Sequence, residues 1–206
     1  MEYFVGIDPS INSTGICVRK YDGEKFVKED FVILTPKRKL TKKEDKAQES
    51  IFNFEYVFYD YEDLKTYSGM NHFSEYWKSW NMICCAKAVK DVVKEFTKDN
   101  PEKISIVLEG ISYGSSIRTR SIFDLAGLNY LVREKFIEKE NVVVTIATPS
   151  EIKKFASGNG NCNKEMITSL FKASHPDFET VPKIDDISDA WFMANYAEKI
   201  VHESIF

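Results

Sequence analysis

The sequence predicts one α/β domain built on a mixed five-stranded sheet, three antiparallel strands followed by parallel ones, with helices on its faces. Three observations predict it. The chain opens with three strand-like segments joined by tight turns. Two later segments, KISIVLEG (103–110) and NVVVTIATP (141–149), are near-continuous apolar runs of the kind buried inside parallel sheets. Helical periodicity fills the stretches between and after them, which is enough helix to cover both faces of a sheet. With 206 residues, 43% of them hydrophobic and 29% charged, the chain suits a single unit spanning 1–206 with its own core, and disordered or collagen-like classes drop out.

Residues 2–8 form the first strand, 13–21 the second and 25–34 the third. Asp22-Gly23 between the last two marks a hairpin, because the turn needs a positive φ that Gly adopts without a steric cost. The stretch from Lys37 to about Gly69 is the least regular, first basic and then crowded with aromatics and acids, and reads as an insertion spanning about 36–75. From Phe73 to Thr97 apolar positions recur at helical spacing, and Asn100-Pro101 ends that helix. After the 103–110 strand come a helix over 121–138, the 141–149 strand, and helices over 150–156, 163–174 and 185–202.

No stretch approaches the roughly 18 apolar residues of a membrane span. No basic segment leads into an apolar one near residue 1, so neither a membrane partner nor a secretory signal is expected, and the expected location is cytoplasmic. The four cysteines form no C-x-x-C pair and read as reduced, mostly buried thiols. A net charge of −4 argues mildly against nucleic acid, yet PKRKLTKKEDK (36–46) and SIRTRS (116–121) are locally basic. Either run is also what a solvated loop looks like. The three histidines read as surface or loop residues.

The chemistry gathers around acids. VGIDPS (5–10) drives Asp8 to the end of a strand that looks buried, and IVLEG delivers Glu109 to the end of another. The C-terminal ends of strands in open α/β sheets are where ligand sites form. In DDISDAWFMANYA (185–197), Asp186 and Asp189 are three apart and share a helix face. Acids in a first helical turn also have a plain explanation in the helix dipole, which covers Asp185 and Asp186 well and Asp189 less well. If Asp8, Glu109, Asp186 and Asp189 converge, each pair of like charges at about 4 Å costs roughly 4 kcal/mol at an effective dielectric near 20. Total stability is only about 5–15 kcal/mol, so such a cluster needs protons or cations. Hard divalent ions are the natural partners of carboxylate oxygens.

GIDPSINSTGICV, IVLEG, PSEIKKFASGNGNCNKEMI and DDISDAWFMANYA, in that order, resemble the four signature segments of the RuvC family of Holliday junction resolvases. The resemblance covers most of the chain outside 36–75. It implies a ribonuclease H-like fold and a homodimer that cuts two strands of a four-way DNA junction symmetrically, leaving 5′-phosphate ends. It further implies two Mg²⁺ ions per site, with Mn²⁺ able to substitute, held by Asp8, Glu109, Asp186 and Asp189; Asp185 is a neighbouring acid that could share the site. The family's DNA-contacting lysines correspond to Lys153 and Lys164. Gly158 and Gly160 would let backbone amides approach phosphate near Lys164.

The sequence departs from the bacterial pattern after Glu109. Where those resolvases carry a phenylalanine that wedges into the junction, this chain reads EGISYGSSIRTR, with Tyr113 as the aromatic substitute and Arg118 and Arg120 available for phosphates. That departure, the acidic balance and the aromatic insertion point to a divergent member of phage type, acting in a bacterial cell or a phage-infected host, with other branched DNA as further substrates. The homodimer is expected to use the apolar face of the 121–138 helix, from Ile122 to Val132. Three alternatives stay open at this stage. A ribonuclease of the same fold would act on RNA or RNA–DNA hybrid, and a non-catalytic module would bind DNA without cutting it. A sugar-kinase-like ATPase would need a second phosphate loop and a longer chain, and neither is visible.

Overall fold

The computed structural model describes residues 1–36, 39–63, 71–99, 101–111 and 119–203, with side chains described in all of these except 71–73 and 119–121. A six-stranded sheet runs in the order β4-β3-β2-β1-β5-β6. Its strands are β1 (Glu2–Asp8), β2 (Thr14–Asp22), β3 (Lys25–Thr35), β4 (Phe54–Phe58), β5 (Lys103–Glu109) and β6 (Val142–Ala147). The hairpin falls where the sequence puts it, with Asp22 opposite Lys25 and Gly23 at φ 58°. Strand β2 is antiparallel to β1 and β3, whereas β4, β5 and β6 pair in parallel with their neighbours. The C-terminal ends of five strands therefore share one rim of the sheet.

The predicted fold class holds, and the sheet has six strands where five are expected. The sixth comes from the segment read as an irregular insertion. Helix α1 (Lys42–Ser50) starts there on a capping box, in which Thr41 accepts from the Glu44 backbone N–H and Glu44 accepts from the Thr41 N–H. It leads into β4, where Phe54 and Tyr56 alternate into the core and the strand extends the sheet beside β3. Helices α2 (Asn71–Phe96), α3 (Thr119–Ile137), α4 (Pro149–Ser157), α5 (Lys164–Ser174) and α6 (Ile184–Glu203) complete the layers.

Strand alternation sorts the core into two faces. Tyr3, Val5 and Ile7 join Ile16, Ile106 and Leu108 under α2 and α3, while Phe4, Cys17, Phe31 and Val107 meet α5 and α6. Asp8 follows Phe4 and Gly6 in parity, and Glu109 follows Val107, so both acids belong to the α6 face. Gly6 explains how closely α6 approaches: a Cβ there would stand 1.9 Å from the Ala190 carbonyl oxygen and 2.5 Å from the Ala194 nitrogen. Only a residue without a side chain lets the helix rest on the strand. All four cysteines are free, and three are buried.

His175 falls in the loop after α5, one of the two states expected for it, and is half-buried there. It caps α5, stacks on Phe171 at 4.4 Å between ring centres, and brings Nε2 to 2.7 Å from Glu29 Oε1. Glu29 also accepts from Trp191 Nε1 at 3.1 Å and lies 3.4 Å from Arg19 Nε. Burial by itself would raise the Glu29 carboxyl, but these donors and charges hold it below its ordinary value. The hub ties β2 and β3 to α5 and α6, the two helices that bear on the candidate site.

Candidate active site

The register of β1 against β5 pairs Ile7 with Leu108, and one residue further it sets Asp8 beside Glu109. Adjacent strands are about 4.8 Å apart, so two carboxylates leave the sheet together toward α6. Helix α6 answers with Asp189, one residue before the Ala190 that lies on Gly6. Asp8, Glu109 and Asp189 line one cleft of about 260 Å³ with Lys153 of α4 and Lys164 of α5, and Ile152, Ile167 and Met193 make its wall apolar. Thr148 and Asn163 cap these two short helices, which fixes where the lysines emerge. A larger hollow of about 880 Å³ lies between the end of β4 and α2, but it holds none of these acids.

Burial dominates the electrostatics. It pushes Asp8 well above the usual carboxylate range, helped by the charges of Glu109, Asp189 and Asp186 and opposed by Lys164. Burial, with the Asp189 charge behind it, raises Glu109 to about 7 against the pull of Lys164 and Lys153. Asp189 rises to about 6 for the same first reason, although Lys164 pulls it back. Carboxyls held above their ordinary values are what buried acids gathered in one cleft should be.

Lys164 meets that charge in this structure. Its ammonium is 2.9 Å from Asp185 and 3.4 Å from Asp189. Burial would raise the Asp185 carboxyl, yet the Lys164 bond and backbone N–H groups lower it. Asp185 is thus the partner of the lysine. Asp186 takes a different path: it accepts a 2.5 Å hydrogen bond from Ser13 Oγ and is absent from the cleft lining. Its backbone explains why. A Cβ on Gly15 would stand 2.1 Å from the Asp186 carbonyl oxygen, so the first turn of α6 presses on β2 there.

The structure therefore brings Asp8, Glu109, Asp189, Lys153 and Lys164 into one cleft and sets Asp186 at its edge, close enough to raise Asp8. Among the described residues, no three Asp, Glu, His or Cys side chains are grouped tightly enough to grip an ion. The donor set still suits a hard divalent cation. It consists of carboxylate oxygens with surplus negative charge, and the cation already drawn among them is the lysine's own. Tyr113 and Arg118 lie outside the described residues, and Arg120 falls in the first turn of α3, where side chains are not described. Two contributors escape the sequence reading. Ser13 holds Asp186, and Asn129 Nδ2 donates to the Glu109 carbonyl at 2.7 Å, which anchors the end of β5. The serine sits in plain view just before β2, two residues ahead of Gly15, but nothing local says which acid it would meet.

No family model and no curated protein matches the chain. Solved structures do. RuvC of Thermus thermophilus in complex with its Holliday junction substrate matches with a TM-score of 0.51 at 14% identity, over 97% of this chain and 96% of that one. A further Thermus thermophilus RuvC structure matches with a TM-score of 0.47 at 16% identity, with the same coverage of both chains. The yeast mitochondrial Holliday junction resolvase Ydc2 gives 0.42 at 14% identity, over 95% of this chain and 80% of that one. The likeness to the junction-bound RuvC carries the fold: this chain has the ribonuclease H-like fold of RuvC, in a divergent sequence.

Proposed function

We propose that the chain is a divalent-metal-dependent endonuclease for branched DNA that resolves four-way junctions by paired phosphodiester hydrolysis. The observation that carries this reading is the convergence of Asp8, Glu109 and Asp189 from two strands and a helix on one cleft, with two lysines beside them. Those three acids, with Asp186 at the edge, would hold Mg²⁺, or Mn²⁺ in its place. Two such ions supply Lewis-acid charge to the scissile phosphate and make water a nucleophile at neutral pH.

The chain's own residues do the rest. Burial keeps Asp8, Glu109 and Asp189 poised to exchange protons for a cation. Lys153 neutralises phosphate at the mouth of the cleft, and Lys164 holds Asp189 while no other cation does. Tyr113, Arg118 and Arg120, on the segment after Glu109, are proposed to meet the unstacked centre of the junction and its backbone. Symmetric cutting of two strands needs two copies of the site, which a two-fold homodimer provides. Of the 121–138 face expected to pair, Leu128 and Val132 are fully buried under the sheet and serve the core. The dimer surface is better sought on the exposed Tyr76, Trp80 and Ile83 of α2 and Phe123 and Tyr130 of α3.

The test is to incubate the protein with labelled four-way junction, duplex, RNA–DNA hybrid and single-stranded RNA, in Mg²⁺ or EDTA, beside Asp8→Asn and Asp189→Asn variants. Paired nicks in the junction that vanish in EDTA and in both variants are the expected result. Faster cutting of hybrid than of junction would assign the chain to the ribonucleases instead, and a variant as active as the parent would remove its residue from the site.

A further inference from the structure

A second hollow, of about 300 Å³, opens at the opposite rim of the sheet between the last turns of α2 and α3. Its floor is apolar, made by Val93, Ile104, Phe136 and Val142, the first three belonging to the buried core. Its rim carries Lys90, Lys94, Lys98 and Lys139 and no acid. Ile104 precedes Glu109 by five residues on β5, so at about 3.3 Å per residue the hollow is roughly 16 Å from the catalytic cleft.

Lysines near helix C-termini have a plain role, since they complement the carbonyl end of the helix dipole. That accounts for their presence near Phe96 and Ile137, but not for a concave apolar floor inside their ring. Two of the four have acidic neighbours, Lys98 with Glu95 at 2.5 Å and Lys90 with Asp91 at 3.8 Å. Lys94 and Lys139, with no acid paired to them among the described residues, leave the ring net positive on a chain whose net charge is −4, a local arrangement that the overall composition does not explain.

We propose that this hollow is a docking site for an acidic peptide segment bearing a large apolar side chain, which seats on the Val93–Phe136 floor while flanking carboxylates meet the lysine ring. A partner protein's acidic tail is the kind of chain that fits. Nucleic acid fits less well, because a phosphate backbone has nothing apolar to fill the floor. The hollow also lies at helix C-termini rather than at the N-termini that cradle phosphate. The proposal does not depend on the nuclease reading.

The test is fluorescence anisotropy with a labelled hexapeptide of alternating Asp and Glu ending in Leu-Phe, against the full chain and a Lys94→Glu/Lys139→Glu variant. The same peptide ending in Ser-Ser is the control, and unlabelled duplex DNA is the competitor. Saturable binding is expected, weakened roughly tenfold or more by either the charge reversal or the loss of Leu-Phe, with the thermal unfolding of the variant unchanged. Absence of saturable binding would overturn the proposal, as would indifference to the Leu-Phe pair or the two lysines. Displacement by duplex DNA at lower concentration than by unlabelled peptide would make the ring a phosphate surface and end the peptide reading.

Discussion

Replacing Glu109 by Gln should make the metal-free protein more stable at alkaline pH while it removes activity. Gln keeps the shape of the side chain and discards its charge. Burial raises Glu109 from an ordinary value of 4.5 to about 7, so the native protein keeps a proton there that the unfolded chain has already released. The unfolded state binds fewer protons between these values, so stability falls as pH rises from about 4.5 through about 7. The gap corresponds to about 3 kcal/mol of stability missing at pH near 8. For a domain of about 200 residues, that shifts the melting temperature by roughly 6–12 °C. Thermal unfolding in EDTA should therefore show Glu109→Gln melting well above the parent at pH near 8 and close to it at pH near 4.5. Millimolar Mg²⁺ should narrow the difference by stabilising the parent through mass action. A variant that melts lower than the parent at pH near 8, or a gap that is equal at both pH values, would refute the electrostatic account.

Two further outcomes follow from the packing. Gly15→Ala places a methyl where the Asp186 carbonyl stands, so it should lower the urea midpoint by an amount equal to about 3 kcal/mol and weaken cleavage by displacing the first turn of α6; an unchanged midpoint would mean that α6 does not press on β2. Glu29→Ala removes the acceptor shared by His175 and Trp191 and the charge beside Arg19, and calorimetry should show a loss of about 3 kcal/mol at neutral pH. Because Glu29 is held below 4.5, the stability it confers is present above that pH and is lost as pH falls through its folded value, so the parent and the variant should converge in acid.

Much of this molecule is legible in its residues, for reasons that are local. The apolar runs at 103–109 and 142–147 both become parallel strands, but only β5 is buried along its length; β6 is the edge strand and leaves Val143 and Ile146 exposed, while the acid that ends each of the first and fifth strands is visible as a break in the apolar pattern. The β4 segment is legible in principle, since Thr41 and Glu44 form a capping box and Phe54 and Tyr56 alternate. It is obscured by the charged run around it, and its pairing to β3 is a long-range choice that no periodicity announces.

Period and parity are properties of the chain, and they are enough to deliver Asp8, Glu109 and Asp189 to strand ends and a helix start. What each acid of α6 does depends on the packing around that helix. On an isolated helix Asp186 and Asp189 share a face, and both would be assigned to one site. The contact of α6 with Gly15 turns Asp186 under Ser13, Lys164 arrives from α5 to take Asp185, and Asp189 alone is left to enter the cleft. Three neighbouring carboxylates part because β2 and α5 meet the start of one helix from different sides, and that depends on where the helices come to rest.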